Sequence, residues 1–246
     1  MSPLLPASSQ QRTVAIILCA GQGTRMGALQ NKVFLPVHGK PLLVYALAIF
    51  ANMPEIDEIV LVTHPLEMQY CEIEIVQQYA IAKVETMVSG GSSRHQSEYN
   101  ALNVLRERIV TGEIGVVMIH DGARPFLAAQ DIRQLIVAAQ TCSGAVLATP
   151  VYADESIVTI TEDAMIGNVY QSSTLWRAQT PQAFQAFTLL AAYDQAKDDG
   201  FEGTDTASSF ERLGRSVQVV PGQGANFKVT TPEDMLRAEQ YLNTVN

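Results

Sequence analysis

Val14-Ala15-Ile16-Ile17-Leu18-Cys19-Ala20 runs directly into Gly21-Gln22-Gly23-Thr24-Arg25-Met26-Gly27, and this junction decides the fold. An unbroken apolar run of this length reads as a strand buried on both faces, as in a parallel sheet. Glycines at its carboxyl end lie where α/β folds place ligands, and without a Cβ they let backbone N–H groups approach phosphate oxygens. A tight turn could use the same glycines, so the neighbours have to discriminate. A P-loop needs Gly-Lys-Ser/Thr, whereas Gly23 is followed by Thr24-Arg25. A dinucleotide fold places an acidic residue about 20 positions on, and none precedes Glu55. What the loop does carry is Arg25 and Lys32, a planar fork and a point charge suited to a triphosphate.

Outward from this junction, short apolar runs alternate with stretches of helical period, which predicts βαβ units, a mostly parallel sheet flanked by helices and a Rossmann-like α/β class. The predicted strands are Val14 to Ala20, Asp57 to Thr63, Lys83 to Val88, Gly115 to His120, Gly144 to Pro150, Val217 to Val220 and Asn226 to Val229. Helices are predicted over Pro41 to Asn52, Leu66 to Ala80, His95 to Arg108, Ala129 to Thr141 and Pro232 to Leu242. Pro41 and Pro232 suit a first helical turn, and Thr231 with Asp234 suits a cap. Between Val151 and Leu175 the rhythm breaks into two short runs, Ser156 to Thr161 and Ala164 to Tyr170, separated by Glu162-Asp163. This is a hairpin, either lying flat on its own domain or projecting as a dimer arm, since a lone two-stranded ribbon buries too little to be stable. The expected organisation is a loose tail over residues 1–12 and one domain over 13–246 that includes the arm 151–175.

At 246 residues, 47% hydrophobic and 17% charged, the chain is of globular composition. No apolar run approaches the roughly 20 residues of a membrane span, and the first residues lack a signal-peptide pattern. Cys19, Cys71 and Cys142 are odd in number, far apart and set among apolar neighbours, so neither a disulfide framework nor a zinc site is indicated, and the cytoplasm is the expected compartment. A net charge of −9 argues against nucleic-acid backbones and anionic membranes as partners. The charge is uneven. Residues 1–54 hold four cations and no carboxylate, leaving twelve cations against twenty-five carboxylates in the remainder.

The loop Ala20 to Gly27, with Asn31-Lys32 and Phe34-Leu35-Pro36, resembles the signature of nucleotidyltransferases with the sugar-nucleotide-transferase fold. Further stretches, in order, resemble the 2-C-methyl-D-erythritol 4-phosphate cytidylyltransferase family. They are Gly90-Gly91-Ser92-Ser93-Arg94 with Ser97, His120-Asp121-Gly122-Ala123-Arg124-Pro125, Ala178-Gln179-Thr180-Pro181-Gln182, Thr204-Asp205 with Ala207-Ser208, and Asn226-Phe227-Lys228-Val229-Thr230. The likeness runs from Val14 to Leu242. It implies an enzyme that uses CTP and Mg²⁺ to cytidylylate methylerythritol 4-phosphate in isoprenoid precursor synthesis, and the arm adds the expectation of a homodimer. It assigns Arg25, Lys32 and Lys228 to catalysis, and Ala20, Gly21, Gly23, Gly91, Ser97, Asp121 and Gly122 to the nucleotide. The acceptor falls to Arg124, Ser156, Thr180 and Lys228, and the metal to Asp121. Without the resemblance, Asp121 could equally begin a turn before Gly122, and His120 is read only as a strand end.

Three positions depart from the family pattern. In the arm, Pro-Val-x-Asp-Thr followed by Lys becomes Pro150-Val151-Tyr152-Ala153-Asp154-Glu155-Ser156, with no lysine. The arginine that grips the acceptor phosphate, eight positions before Thr180, is Ser172, and Thr-Asp-Asp/Glu has become Thr204-Asp205-Thr206. Losing a bidentate arginine leaves three readings: Arg177 or a partner subunit supplies the charge, the acceptor is another polyol phosphate such as ribitol 5-phosphate, or activity is reduced, in the limit to a nucleotide-binding module.

Overall fold

The structure, a computed structural model, describes residues 11–21, 31–151, 157–163 and 165–245. Much of the signature loop (Gln22 to Gln30, with Gly23 and Arg25) and the arm residues Tyr152 to Ser156 lie outside that set, as does most of the expected N-terminal tail.

Strand β1 (Arg12–Leu18) is central to the sheet. A small hairpin, β2 (Pro36–Val37) and β3 (Lys40–Pro41), leads into helix α1 (Leu42–Ala51), which Pro41 caps from outside rather than joins. Next come β4 (Glu58–Thr63), a short helical turn α2 (Met68–Tyr70), β5 (Val84–Ser89), α3 (Arg94–Val110), β6 (Ile114–Asp121), α4 (Ala129–Cys142) and β7 (Gly144–Pro150). A separate antiparallel pair, β8 (Ile157–Ile160) and β9 (Ile166–Tyr170), forms the expected hairpin. The chain then returns through β10 (Trp176–Gln185), α5 (Ala186–Asp198), α6 (Thr206–Arg212), β11 (Gln218–Pro221) and α7 (Pro232–Val245).

Seven strands make one sheet in the order β11-β7-β10-β6-β1-β4-β5, parallel except for β10, which runs antiparallel to both neighbours. Alternation along β1 divides its side chains between two cores: Ala15 and Ile17 pack with Leu42, Leu47 and Phe50, whereas Val14 and Ile16 pack with Leu102, Leu105 and Phe184. Full burial of one such large aliphatic side chain contributes roughly 1.5–3 kcal/mol, so β1 is pinned from both faces. Its carboxyl end is therefore fixed in space, which matters for everything attached to it.

Several expectations need correction. Asn226 to Val229 is not a strand; Asn226 is fully buried and donates to Gln179 Oε1 and Thr180 O, and Val229 N–H reaches Ala123 O at 2.9 Å, so side-chain anchoring replaces a ladder. Leu66 to Ala80 is not one α-helix but a 3₁₀ turn (Pro65–Glu67), α2 and a π-helical stretch (Cys71–Gln77). Cys71, Ile73, Ile75 and Val76 fit no single 3.6-residue stripe, and the wider winding buries Cys71 and Ile75 while Ile73 stays exposed. Asp121 is the last residue of β6 rather than the first beyond it. Cys142 ends α4 exposed, unlike the buried Cys19 and Cys71. The cap at α7 has the expected reciprocal form, with Thr231 Oγ1 accepting from Asp234 N–H and Asp234 Oδ2 accepting from Thr231 N–H.

Candidate active site

The parallel register of β1 and β6 puts Leu18 opposite Asp121, so the signature loop and the Asp121 turn leave the sheet side by side. Gly122 N–H donates to Leu18 O at 2.9 Å; a Cβ there would lie 2.7 Å from Leu43 Cδ1 and 3.2 Å from that carbonyl, so any larger residue would have to displace Leu43 and loosen this approach. A Cβ on Gly90, at the end of β5, would collide with Ala20 in the same way. The carboxyl ends of β1, β5 and β6 thus converge on a cleft of about 690 Å³, lined by Ala20, Gly21, Lys32, Gly91, Ser97, Asp121 and Lys228 among others. Arg124, Gly122 and Thr180 stand behind its wall rather than on it.

Asn31, in the sequence no more than the neighbour of Lys32, ties the start of the Lys32 turn to the end of β1 and to the turn after β4. Buried, its amide donates to Cys19 O at 2.8 Å and to Glu67 Oε2 at 3.0 Å, and its side-chain oxygen caps the 3₁₀ turn Lys32–Phe34. Lys32 therefore starts from a fixed backbone. On the opposite wall, Ser97 Oγ accepts from Gly91 N–H at 3.0 Å and donates to Ser93 O at 2.7 Å. The hydroxyl braces the glycine loop, and Ser93 caps α3 beside it through Gln96 N–H.

Asp121 is the electrostatic centre. Its side chain, 10% exposed, meets Lys228 Nζ at 2.8 Å, Arg94 at 3.5 Å and Arg124 Nε at 3.6 Å. Burial acts to raise its pKa, but Lys228, Arg94 and Arg124 together hold it well below the usual carboxylate range. Three cations face Asp121, and Glu98 pairs with Arg94 from behind, so two carboxylates against three cations still leave a net positive charge at the floor of the cleft, which suits a polyphosphate. Arg124 also donates to Asn226 O at 2.9 Å, tying the Asp121 turn to the segment that carries Lys228.

His120 proves to be more than a strand end. Nε2 lies 3.0 Å from Arg124 O, a carbonyl that can only accept, so this nitrogen carries the proton and Nδ1 is left to accept from the Thr180 hydroxyl at 3.2 Å. Thr180 Oγ1 in turn accepts from Asp121 N–H at 2.9 Å. Burial drives the His120 pKa down to about 4, which keeps the ring neutral and the relay intact. The Thr180 hydroxyl is thus engaged in fixing Asp121. Ser172 lies in a 3₁₀ turn at the base of the hairpin, and Arg177 is exposed on β10 opposite Thr149. Among the described residues no three His, Cys, Asp or Glu side chains come together as a metal cage.

The profile of one family, described as 2-C-methyl-D-erythritol 4-phosphate cytidylyltransferase, matches residues 13–244. The chain belongs to this family. An enzyme of that name from Geotalea uraniireducens (strain Rf4) is 42% identical over 96% of this chain and 98% of its own. Another from Geobacillus thermodenitrificans (strain NG80-2) is 41% identical over 93% of this chain and 96% of its own. The crystal structure of 4-diphosphocytidyl-2C-methyl-D-erythritol synthase from Anaerococcus prevotii DSM 20548 superposes with a TM-score of 0.80 at 28% identity, covering 95% of this chain and 96% of that one. The Ala20-Gly21 end of β1, the Gly90-Gly91 end of β5 and the cationic floor at Asp121 line one cleft along the same sheet edge.

Proposed function

We propose that the chain transfers the cytidylyl group of CTP to 2-C-methyl-D-erythritol 4-phosphate, forming CDP-methylerythritol and pyrophosphate in the non-mevalonate isoprenoid route. The observation that carries this reading is the Asp121 cluster, three cations around one buried carboxylate in a cleft bounded by the Ala20 and Gly91 loops. An acceptor phosphate oxygen attacks the α-phosphorus of CTP, the bond to the bridging oxygen breaks, and pyrophosphate leaves with that electron pair. The protein's task is alignment and stabilisation of phosphoryl charge. Lys32 and Arg25 take the triphosphate together with Ala20, Gly21 and Gly23, Gly122 supports the end of β1 from behind, and Gly91 and Ser97 border the base. Lys228, with Arg124 behind it, neutralises the acceptor phosphate as it approaches Asp121.

Asp121 would also hold Mg²⁺. A single ionised carboxylate fits that ion, which completes its shell with phosphate oxygens and water, and the Oδ1 edge is the one less tightly engaged, by Arg94 at 3.5 Å. When bound, the ion would neutralise charge on the phosphates. The arm 151–175 would form a homodimer contact that brings Ser156 to the partner's acceptor side, and the compartment would be the cytoplasm; no described helix is long and apolar enough to cross a membrane. Pyrophosphate release with CTP and a panel of polyol phosphates tests the substrate assignment. Turnover with methylerythritol 4-phosphate above all others is expected; a preference for ribitol 5-phosphate, or no release with any acceptor, would overturn it.

A further inference from the structure

Position 206 is where this chain lacks the second carboxylate of the family's Thr-Asp-Asp/Glu pattern, and the space around it is occupied in an unusual way. Thr206 is fully buried at the start of α6, where Asp205 caps the helix through Ser208 N–H. Its hydroxyl accepts from Arg94 at 3.1 Å and donates to Glu98 Oε1 at 3.0 Å. Glu98, on α3 and 1% exposed, forms an ion pair with Arg94 one turn earlier and also accepts from the Tyr193 hydroxyl. Arg94 then extends its other terminal nitrogen to Asp121 at 3.5 Å and lines the cleft. A carboxylate at 206 would sit against the same guanidinium that Glu98 now holds.

We propose that Glu98 is a positioning residue for the transfer reaction, supplying from α3 the carboxylate that the family pattern places at 206 and so fixing Arg94 against Asp121. The chemistry requires some such anion. A guanidinium this enclosed, whose other ion pair among the described residues is with Asp121, would otherwise lean fully on Asp121, and that carboxylate would then compete with the phosphates for it. Burial opposes charge on Arg94, but Glu98 and Asp121 more than offset it, so the guanidinium pKa is raised. Tyr193 and Thr206 occupy the oxygens of Glu98 and aim it, and Tyr193 is held in turn by stacking on His95 at 4.5 Å between centroids. The exchange of Asp/Glu for threonine at 206 is thus compensated within hydrogen-bonding distance rather than left as a loss.

This inference rests on the transferase reading, and the test separates the two. Four chains are compared: wild type, Glu98→Gln, Thr206→Asp, and the double variant. Turnover with CTP and methylerythritol 4-phosphate is read alongside the calorimetric dissociation constant for CTP–Mg²⁺ and the thermal midpoint. Glu98→Gln is expected to lower kcat by about tenfold or more with a smaller change in KM for CTP, while its thermal midpoint does not fall. Thr206→Asp alone puts two carboxylates at one guanidinium and is expected to impair the enzyme as well. The double variant should recover to within about threefold of wild type, a coupling that a merely structural Glu98 would not produce. Wild-type kcat in Glu98→Gln, or a double variant no better than the singles, would overturn the proposal. Should wild type release no pyrophosphate, the transferase reading fails, and the same coupling is then read in CTP affinity, where its absence would overturn the role of Glu98 independently.

Discussion

At the cleft, Asp121 is fixed from all sides by groups of its own chain: Lys228, Arg94 and Arg124 at the carboxylate, and the Thr180 hydroxyl on its amide. On the β8–β9 arm, Ile160, Ile166 and Val169 stand 71%, 66% and 65% exposed on a ribbon that, among the described residues, pairs only with itself in sheet terms. The first region holds buried charges against one another; the second leaves apolar side chains exposed. On the reaction proposed above, the contrast sets a question: whether the acceptor side, where Ser172 stands in place of the family's arginine, is completed by the cleft or by what the arm meets.

The sharpest break of this comparison is at Lys32. Removing one preorganised cation from the phosphate site should cost on the order of 10²-fold or more in turnover. Steady-state pyrophosphate release from Lys32→Ala at saturating CTP measures this, and near-wild-type turnover would remove Lys32 from the mechanism. Lys228→Met comes next, because a charge-assisted hydrogen bond is worth about 1.5–3 kcal/mol, or roughly 10–100-fold. That loss should appear in kcat/KM for the acceptor while CTP affinity changes little; an effect confined to CTP would move Lys228 to the donor half.

The arm tests the other half. Ile166→Asp and Val169→Asp place a charge on the surface assigned to the dimer, and each should shift light scattering from dimer to monomer and reduce turnover about tenfold at equal chain concentration, as loss of interface anchors does. Monomer unfolding should hardly change, since both positions are exposed on an isolated ribbon. A wild type that is already monomeric, or a fully active monomeric variant, would mean that the cleft completes the acceptor side by itself.

The same contrast explains what could be read from the sequence. β1, β4 and β7 are apolar nearly throughout and announce themselves, and the glycine junction at the end of β1 locates the cleft. β10 does not, because Pro181 interrupts its ladder, the register jumps between Ala178 and Gln182, and the polar run Gln179-Thr180 reads as a motif rather than a strand. α5 and α6 lie beyond it and pass unrecognised with it. At the site, the composition of the loop after β1 reaches Arg25 and Lys32 and the family resemblance reaches Asp121, but neither reaches Glu98, His120 or Asn31. Each of these acts through a partner distant in sequence: Glu98 through Thr206, His120 through Thr180, Asn31 through Glu67. A single sequence does not display such pairings; the fold creates them. The missing carboxylate at 206 was the one written signal that a substitute existed somewhere.

The smallest effect follows from the cost of that substitute. Burial pushes the Glu98 carboxyl up to about 6 in spite of Arg94, Tyr193 and Thr206, against about 4.3 for a free glutamate. Because the folded-state pKa is the higher one, the folded chain binds this proton first as pH falls. The associated stability is fully present below the unfolded value near 4.3 and is lost as pH rises through about 6. Relative to Glu98→Gln, wild type should therefore be nearly equal at about pH 4 and less stable by about 2 kcal/mol at about pH 7, from the linkage of one proton over this shift. Urea unfolding of the two chains across that window measures the difference, and a gap that stays constant or opens in the opposite direction would show that ionised Glu98 carries no net penalty. A substitution that stabilises the fold at neutral pH while slowing transfer has no counterpart on the arm, where Ile166→Asp should alter assembly and activity but leave the monomer's stability nearly unchanged. Buried charge is tolerated at the cleft because it orients Arg94 and Asp121, and a stability gain coupled to a turnover loss is what that role predicts.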